Sequence, residues 1–431
     1  MRRVWGPAHT MLMCGINDVP AGAVLGSIVT DPRNPSHDLL RPGVTLDPPI
    51  VASLRSRGVT QVWIQDTLTA DLDAAVAPGL TAAKLEVYGK LRDGLATCAK
   101  GTMSSSSLAS YRGAVLSMVT EAISSEKYAA MTDALFSADG LASHGANVAY
   151  LSLLCGLHIE QYVVAEQSKL GPKEAREMGP LGLAGLLHDI GKTRLRPVGQ
   201  RYHDQLAPES GGGSARPEGY IDHVRIGRML LEHCGAPARV GYTVLNHHQR
   251  FDGCGWPDLA AFTAGRIKGK LAGRRIHIYA RIVAAANVLD GLMRDAEGRK
   301  RPPVAALGEF ASSRFEGWFD PIVRRALLLR VPPFAIGVDV RLNDGRRGVV
   351  IGLNEHDPCR PVVRIINPLP PTPPGGVVEP ETVELETNPA LRITHSLGEE
   401  VEKYLYEVPR ADSRVPAGVS APEEDGSDWR E

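Results

Sequence analysis

NHHQRFDGCGWP, from Asn246 to Pro257, is the stretch that decides the predicted fold, and GLLHDIGK, from Gly185 to Lys192, is its upstream counterpart. Adjacent imidazoles beside a carboxylate are costly to bury unless they bind something. The glycines and the proline that follow favour a rigid turn where a ligand can approach the backbone. Together the two stretches predict a metal site suited to phosphate chemistry.

Composition narrows the classes of protein to consider. The chain has 431 residues, 43% of them hydrophobic, which predicts two or three domains with sizeable cores. The net charge of −1 gives no overall attraction to nucleic acid or to an anionic membrane, so neither is an expected partner. The six cysteines form no C-x-x-C pair, which favours reduced thiols in a cytoplasmic protein. No run approaches ~18 apolar residues, and the basic N-terminus lacks a cleavage site typical of signal peptides.

Hydrophobic periodicity divides the chain into four parts. The predicted parts are a small N-terminal α/β domain with a helical connector at 1–105, a helical domain at 106–330, a small β-rich domain at 331–410 and a disordered acidic tail at 411–431. Strands are predicted at 21–31 and 60–65, with a turn and a helix between them. A polar, glycine-rich surface loop is predicted at 199–219. The helical domain is predicted to contain helices at 108–135, 141–157, 173–188, 220–233, 236–248 and 275–294.

Nine of the thirteen histidines fall between His144 and His277, inside the helical part. A single histidine is ordinarily a surface or a satisfied core residue, but this clustering favours metal binding. Imidazole and carboxylate ligands suit iron, manganese or zinc better than calcium or magnesium. More than four ligands indicate two ions, which can clamp a phosphodiester and lower the pKa of a bridging water. The candidate ligands are His144, His188, Asp189, His223, His247 and His248.

Lys192 follows Asp189 by three residues, close enough to act on the same phosphate. Its cation can stabilise charge that develops on a phosphoryl oxygen. Asp189 and Lys192 are therefore the predicted catalytic residues. The alternative interpretation of Lys192 is an ordinary lysine at the end of a helix, next to Gly191.

The order and spacing of these residues resemble the HD-GYP family, a branch of the HD phosphohydrolases. The matching elements are His144 as the leading ligand, His188-Asp189 as the HD pair, His223 with Gly227 as H-x-x-x-G, His247–Pro257 as H-H-E-x-x-D-G-x-G-Y-P, and Arg281–Leu292 as R-I-x-x-x-A-D-x-x-D-A-L. The resemblance implies a mainly α fold, in which a helical HD-GYP core is flanked by the small N-terminal α/β domain and the small C-terminal β domain.

The resemblance also implies an activity, which is the hydrolysis of cyclic di-GMP by a metal-bridged hydroxide, with pGpG as the product and GMP as the alternative end product. It implies two divalent ions, iron or manganese in preference to zinc, and adds Asn287 to the ligands. Cyclic di-GMP, signalling proteins and a second copy of the chain are the expected partners. The residues expected to bind the substrate are Asp252, Gly253, Gly255, Trp256, Pro257 and Arg301.

Four positions depart from the family pattern. Gly140 stands where three-metal members carry glutamate, which favours two ions. Asn287 replaces an aspartate ligand, and the loss of its charge is expected to weaken metal binding by an order of magnitude or more. Asp290, three residues later, is a candidate to compensate. Gln249 replaces the glutamate of H-H-E, and Trp256 replaces tyrosine.

Trp256 keeps an aromatic plane on which a base could stack, and core filling is its alternative role. The basic run Arg299–Arg301 could hold a phosphate or a guanine edge, and a solvated loop is its alternative. Two other functions compete with the phosphodiesterase. One is a catalytically weak or silent protein that binds cyclic di-GMP or a partner protein, and the other is a phosphohydrolase of another nucleotide.

Overall fold

The computed structural model describes residues 11–32, 34–66, 68–69, 72, 78–101, 103–124, 140–196, 219–258, 271–295, 300–367 and 380–409. Helices dominate these residues, which confirms the mainly α fold class. Several predicted features lie outside the described residues, namely most of the loop at 199–219, the end of the helix predicted at 108–135, Arg299 and the acidic tail.

The predicted helices are present, with two differences in their limits. The described helices are α1 Pro48–Ser56, α2 Pro78–Lys100, α3 Ser105–Ser124, α4 Gly140–His158, α5 Glu160–Ala165, α6 Pro172–Ala175, α7 Gly179–Leu187, α8 Asp222–His233, α9 Ala238–Asn246, α10 Ile278–Leu292, α11 Pro303–Ala311 and α12 Pro321–Arg330. The segment predicted as one helix at 173–188 is two helices, because Pro180 fits only in the first turn of a helix. A short 3₁₀ helix, Ile190–Arg194, follows α7, and α3 begins at Ser105, three residues before the helix predicted at 108–135.

The N-terminal strands form three antiparallel pairs, β1 with β6, β2 with β5 and β3 with β4. Their limits are β1 Met11–Gly15, β2 Ala23–Val24, β3 Val29–Asp31, β4 Asn34–Leu40, β5 Thr45–Leu46 and β6 Gln61–Gln65. The strand predicted at 60–65 is confirmed, but the single strand predicted at 21–31 is wrong. The chain changes partners there, because Leu25 N–H donates to Val44 O and Gly26 N–H donates to Trp63 O.

The C-terminal strands form one antiparallel sheet in the order β10-β9-β8-β7-β11-β12, which confirms the predicted β unit. Its strands are β7 Asp339–Leu342, β8 Arg347–Gly352, β9 Val362–Asn367, β10 Thr382–Glu384, β11 Ile393–Ser396 and β12 Glu399–Glu400. This sheet and the N-terminal unit share a core, in which Ile336 and Val349 pack among N-terminal residues. The predicted domain limits stay predictions. None of the described helices has both the length and the apolar character that crossing a bilayer requires.

Close helix contacts at glycines set the geometry of the site. A Cβ atom on Gly145 in α4 would lie 2.6 Å from Leu186 O, and one on Gly185 in α7 would lie 2.9 Å from the Cα of Ala149. A Cβ atom on Gly191 would lie 1.9 Å from His223 O. Glycine therefore lets α4 approach α7, and lets the 3₁₀ helix approach α8, at backbone distance. These contacts bring the histidine-bearing segments together.

Candidate metal centre

The structure brings all seven predicted metal ligands into one buried region of the helical core. His188 and Asp189 directly follow α7, and His247 and His248 directly follow α9. The other three lie within helices, His144 in α4, His223 in the first turn of α8 and Asn287 in the middle of α10. His248 is partly exposed, and the rest are buried.

Asp189 lies at the centre of this cluster, and its two oxygens face different partners. Oδ2 lies 2.6 Å from Lys192 Nζ, 3.4 Å from His188 Nε2 and 3.7 Å from His144 Nε2. Oδ1 lies 3.2 Å from His223 Nε2 and 3.6 Å from His247 Nε2. Two groups of potential ligands therefore share Asp189. The first group is His144, His188 and Asp189, and the second group is Asp189, His223, His247 and His248.

Three of the histidines are oriented by the backbone of their own helical turn. In each, Nδ1 contacts the carbonyl oxygen three residues earlier, which places the proton on Nδ1 and leaves the Nε2 lone pair directed at Asp189. The pairs are His188 with Gly185 O at 2.8 Å, His223 with Tyr220 O at 2.6 Å and His247 with Val244 O at 2.8 Å.

His144 is oriented differently, by two side chains of α10. Its Nδ1 lies 2.7 Å from Asp290 Oδ2, and its Nε2 lies 3.0 Å from Asn287 Oδ1. A carboxylate behind an imidazole fixes its tautomer and makes it a stronger ligand. Asp290 therefore supports His144 from behind and does not take the place of the aspartate that Asn287 replaces.

Electrostatics keep the cluster in the protonation states that metal binding requires. Burial lowers the pKa of His247 to about 3, against the opposing effect of Asp189. Burial likewise lowers the pKa values of His144, His223 and His248. Burial disfavours the ionised form of Asp189, but Lys192 and His188 outweigh it and hold the pKa of that carboxyl well below its usual range. Neutral imidazoles at His144, His223, His247 and His248, beside an ionised carboxylate, are the forms that coordinate divalent ions.

Unsatisfied nitrogens test whether these residues fit a metal. Among the described residues, the Nε2 atoms of His223, His247 and His248 are buried and have no hydrogen-bond partner. Leaving such an atom unpaired costs free energy, so three in one small region require an explanation. A divalent ion held by imidazole nitrogens and the Asp189 carboxylate would satisfy all three. The donor set therefore fits a metal ion.

Trp256 covers the second group of ligands. Its ring stacks on the His248 ring, with centroids 3.9 Å apart and planes at 16°. Its backbone N–H donates to His248 O at 3.2 Å, and Gln249 Nε2 donates to Pro257 O at 2.7 Å. A Cβ atom on Gly255 would lie 2.3 Å from Arg250 N, so only glycine lets the turn fold back this closely. The predicted aromatic turn thus lies at the cluster.

The remaining predicted substrate residues have local contacts instead. Asp252 Oδ1 accepts the Cys254 N–H at 2.8 Å, and its neighbour Gly253 has a φ of 78° that favours glycine. Arg301 Nη1 donates to Leu292 O at 3.1 Å and to Glu309 Oε2 at 2.8 Å. None of these three belongs to either ligand group, and their roles in substrate binding stay predictions.

Tyr220 also lies at the cluster, although it is not among the predicted site residues. Its buried ring lies 4.8 Å from the His223 ring, 5.9 Å from the Trp256 ring and 5.3 Å from Lys192 Nζ. Its position three residues before His223 was the available signal, since that spacing places it on the same side of a helical turn.

Residues 142–292, which include all seven predicted metal ligands, match the HD domain family model. The chain is 33% identical over 214 residues to the cyclic di-GMP phosphodiesterase PA4108 of Pseudomonas aeruginosa, covering 49% of this chain and 46% of that protein. It is 31% identical over 170 residues to the cyclic di-GMP phosphodiesterase response regulator RpfG of Xanthomonas campestris pv. campestris, covering 38% and 39%. The chain thus spans less than half the length of either relative.

The solved structure of Bd1817, a HDG"Y"P protein from Bdellovibrio bacteriovorus, is 15% identical, with a TM-score of 0.42, and the match covers 74% of this chain and 98% of that one. That likeness is too weak to show a shared fold. The family match and the curated relatives support the resemblance of residues 142–292 to the HD-GYP family.

Proposed function

We propose that this protein is a metal-dependent phosphodiesterase that hydrolyses cyclic di-GMP to pGpG. The observation that supports this most is the position of Asp189, whose two oxygens face two separate groups of histidines. A carboxylate shared in this way can bridge two ions. The curated relatives supply the substrate, because both are named as cyclic di-GMP phosphodiesterases.

Two bound ions, iron or manganese, would supply Lewis acidity and an activated water. His144, His188 and Asn287 would hold one ion, and the other would be held by three histidines, His223, His247 and His248. Asp189 would join the two sites. Asn287 can serve because its amide oxygen already faces the ligand side of His144.

Lys192 acts on charge in this proposal. It is 2% exposed and lies 2.6 Å from Asp189 Oδ2, so its ammonium group is fixed at the ligand cluster. Part of its charge balances the carboxylate, and the remainder can stabilise a phosphoryl oxygen as negative charge develops. Trp256 is only partly buried and stacks on His248, and the exposed part of its ring would contact a guanine base.

Metal content and turnover measured on one preparation test the proposal. We expect Mn²⁺- or Fe²⁺-loaded protein to convert cyclic di-GMP to pGpG, and His188→Ala to lose both the metal and the turnover. A substrate panel with cyclic GMP-AMP and nucleoside monophosphates tests the specificity. Metal-loaded protein that leaves cyclic di-GMP intact, as His188→Ala does, would refute the proposal.

A second candidate function is binding of cyclic di-GMP with little hydrolysis. It is favoured by the first group of ligands, where Asn287 is neutral and Asp290 is directed at Nδ1 of His144. Asp189 is thus the carboxylate that faces this group on its ligand side. Calorimetry that detects binding of cyclic di-GMP without turnover would select this function.

The thiols bear on the cellular setting. All six cysteines are free, and five of them are buried. We propose a cytoplasmic location, because reducing compartments keep thiols in this state. Signalling proteins and a second copy of the chain are the proposed macromolecular partners.

A further inference from the structure

A loop beyond the HD domain match holds the outer side of the turn that carries Trp256. We call residues 316–319 the clamp loop and residues 250–257 the aromatic turn. Phe251 N–H donates to Trp318 O, and Asp252 N–H donates to Gly317 O, both at 2.9 Å. The two segments are therefore joined by backbone hydrogen bonds, although about 65 residues of sequence separate them.

Side chains strengthen this contact. The Arg250 guanidinium lies 3.9 Å from the centroid of the Trp318 ring, and its Nη2 donates to Asp252 Oδ2 at 2.5 Å. Gly317 has a φ of 75°, and a Cβ atom there would lie 3.4 Å from Asp252 Cβ. Stacking on an aromatic face leaves the guanidinium edge available for the carboxylate. Arg250 therefore links Trp318 to the middle of the aromatic turn.

The clamp loop is itself anchored in the helical core. The Trp318 ring lies 5.1 Å from Phe315 in an edge-to-face arrangement, and Phe315 is fully buried. Phe310 and Phe319 continue this aromatic cluster, with ring centroids 4.9 Å apart. Packed aromatic rings have few alternative rotamers, so the cluster provides a rigid support.

The aromatic turn is thus held on two sides. On the inner side, Trp256 stacks on His248, a member of the second group of ligands. On the outer side, Arg250, Phe251 and Asp252 contact the clamp loop. Trp256 Cα is tied to this frame through Gly255, which has no room for a side chain.

We propose that Trp318 is a positioning residue that sets the orientation of Trp256 over the ligand cluster, through its stack with Arg250 and its backbone contact with Phe251. Trp318 does not touch the substrate in this proposal. The expected effect on substrate affinity rests on the proposed phosphodiesterase function, whereas the orientation of Trp256 does not.

Fluorine NMR of the full chain labelled with 5-fluorotryptophan tests the orientation directly. The chain has five tryptophans, and Trp256→Phe assigns the signal of Trp256. We expect Trp318→Ala to shift or broaden the Trp256 signal, in metal-free and in Zn²⁺-loaded protein. Trp318→Phe, which keeps an aromatic surface, should preserve the signal. Trp63→Ala removes another partly buried tryptophan, in the N-terminal unit, and serves as the matched control.

Kinetics with cyclic di-GMP test the consequence. We expect Trp318→Ala to raise KM roughly tenfold while kcat changes less than about threefold, because the ligand cluster stays intact and base stacking is lost. Trp318→Phe should restore KM. If Trp318→Ala does not fold, Arg250→Met removes the stacking cation and should move the Trp256 signal in the same way.

An unchanged Trp256 signal in folded Trp318→Ala would overturn the positioning role, as would a KM that rises equally in Trp63→Ala. If the wild-type protein has no turnover, the proposed function fails, and the fluorine spectra still decide the role of Trp318.

Discussion

The two groups of ligands around Asp189 differ in how their histidines are supported. In the second group, His223 and His247 are oriented by backbone carbonyls, and their Nε2 atoms face Oδ1 of Asp189. In the first group, His144 is oriented by the carboxylate of Asp290, and its Nε2 faces the neutral amide of Asn287. His188 of the first group is oriented by a backbone carbonyl, as in the second group. The two groups therefore differ at His144, where the charge of Asp290 lies behind the ring and not on its ligand side.

Asp290 therefore affects how strongly His144 can bind an ion, but it adds no negative charge at the ion itself. Asp290 makes His144 a better donor, but it cannot neutralise an ion as a directly bound carboxylate would. The second group has three imidazoles and the Asp189 carboxylate, which is a complete set for a transition metal. We expect the second group to bind its ion more tightly than the first.

Removing the negative charge of Asp189 should have the largest effect on metal binding and turnover, because both groups of ligands share this carboxylate. Asp189→Asn leaves the shape of the cluster but removes the carboxylate common to both groups. It also removes the negative charge that lies 2.6 Å from the Nζ atom of Lys192, which is 2% exposed. We expect metal content to fall below one ion per chain and turnover to fall at least roughly a thousandfold. Elemental analysis and a phosphodiesterase assay check this. Retention of two ions would contradict the shared role of Asp189.

The second largest effect should be a loss of folding stability at acid pH, caused by His247 in the second group. The pKa of His247 is lowered to about 3, from 6.5 in an unfolded chain. Below pH 6.5 the His247 side chain is protonated in the unfolded chain but stays neutral in the folded protein. The free energy of unfolding is therefore highest above pH 6.5 and falls as the pH is lowered towards 3. Between pH 7 and pH 5, metal-free wild type should lose roughly 2 kcal/mol more than His247→Gln.

Urea unfolding of both metal-free proteins at the two pH values measures this difference. Equal losses in wild type and His247→Gln would show that His247 is not kept neutral by burial.

Placing a carboxylate at position 287 should make the metal affinity of the first group more similar to that of the second group. In Asn287→Asp, an oxygen 3.0 Å from His144 Nε2 gains a negative charge. We expect the weaker metal-binding step to tighten about tenfold and turnover to rise. Competition titration with a metal-binding dye measures the affinity, and Asn287→Leu, which removes the donor oxygen, is the opposite control. Unchanged affinity in Asn287→Asp would mean that Asn287 does not face the ion.

The smallest effect on stability and activity should come from replacing Gln249, which holds the turn that carries Trp256. Its amide donates to Pro257 O at 2.7 Å, and a glutamate in its place would put two acceptors together. Gln249→Glu should therefore destabilise the protein by about 1 kcal/mol and raise KM, although it restores the family residue. Thermal unfolding and steady-state kinetics check both effects. A more active and equally stable variant would show that this hydrogen bond is dispensable.

Ligands that are adjacent in the chain could be predicted from the sequence, because neighbouring residues necessarily lie close together in the fold. His188 and Asp189 are adjacent, as are His247 and His248, so a single helix end presents both members of each pair. The role of Asp290 could not be predicted, because helical spacing gives the face of α10 but not which nitrogen of His144 that face meets. That choice depends on how α4 and α10 pack.

Failures in the fold prediction also have local causes. The strand predicted at 21–31 has the right composition, but after Val24 the backbone bonds first to Val44, just before β5, and then to Trp63 in β6. The break before α7 was visible in principle, since Pro180 cannot lie inside a helix. The contact of Trp318 with Arg250 leaves no periodic signal, because it joins two loops that are distant in sequence.

The bonds from Nδ1 to a carbonyl three residues back have a consequence for how the centre is assembled. Each of these rings acquires its tautomer and rotation from its own turn of chain, before any distant segment arrives. When the helices pack together, the Nε2 atoms of these histidines already have the orientation that metal binding requires. Binding of an ion therefore needs little rearrangement. Three helical turns thus carry most of the preorganisation, while His144 depends on long-range packing for its own.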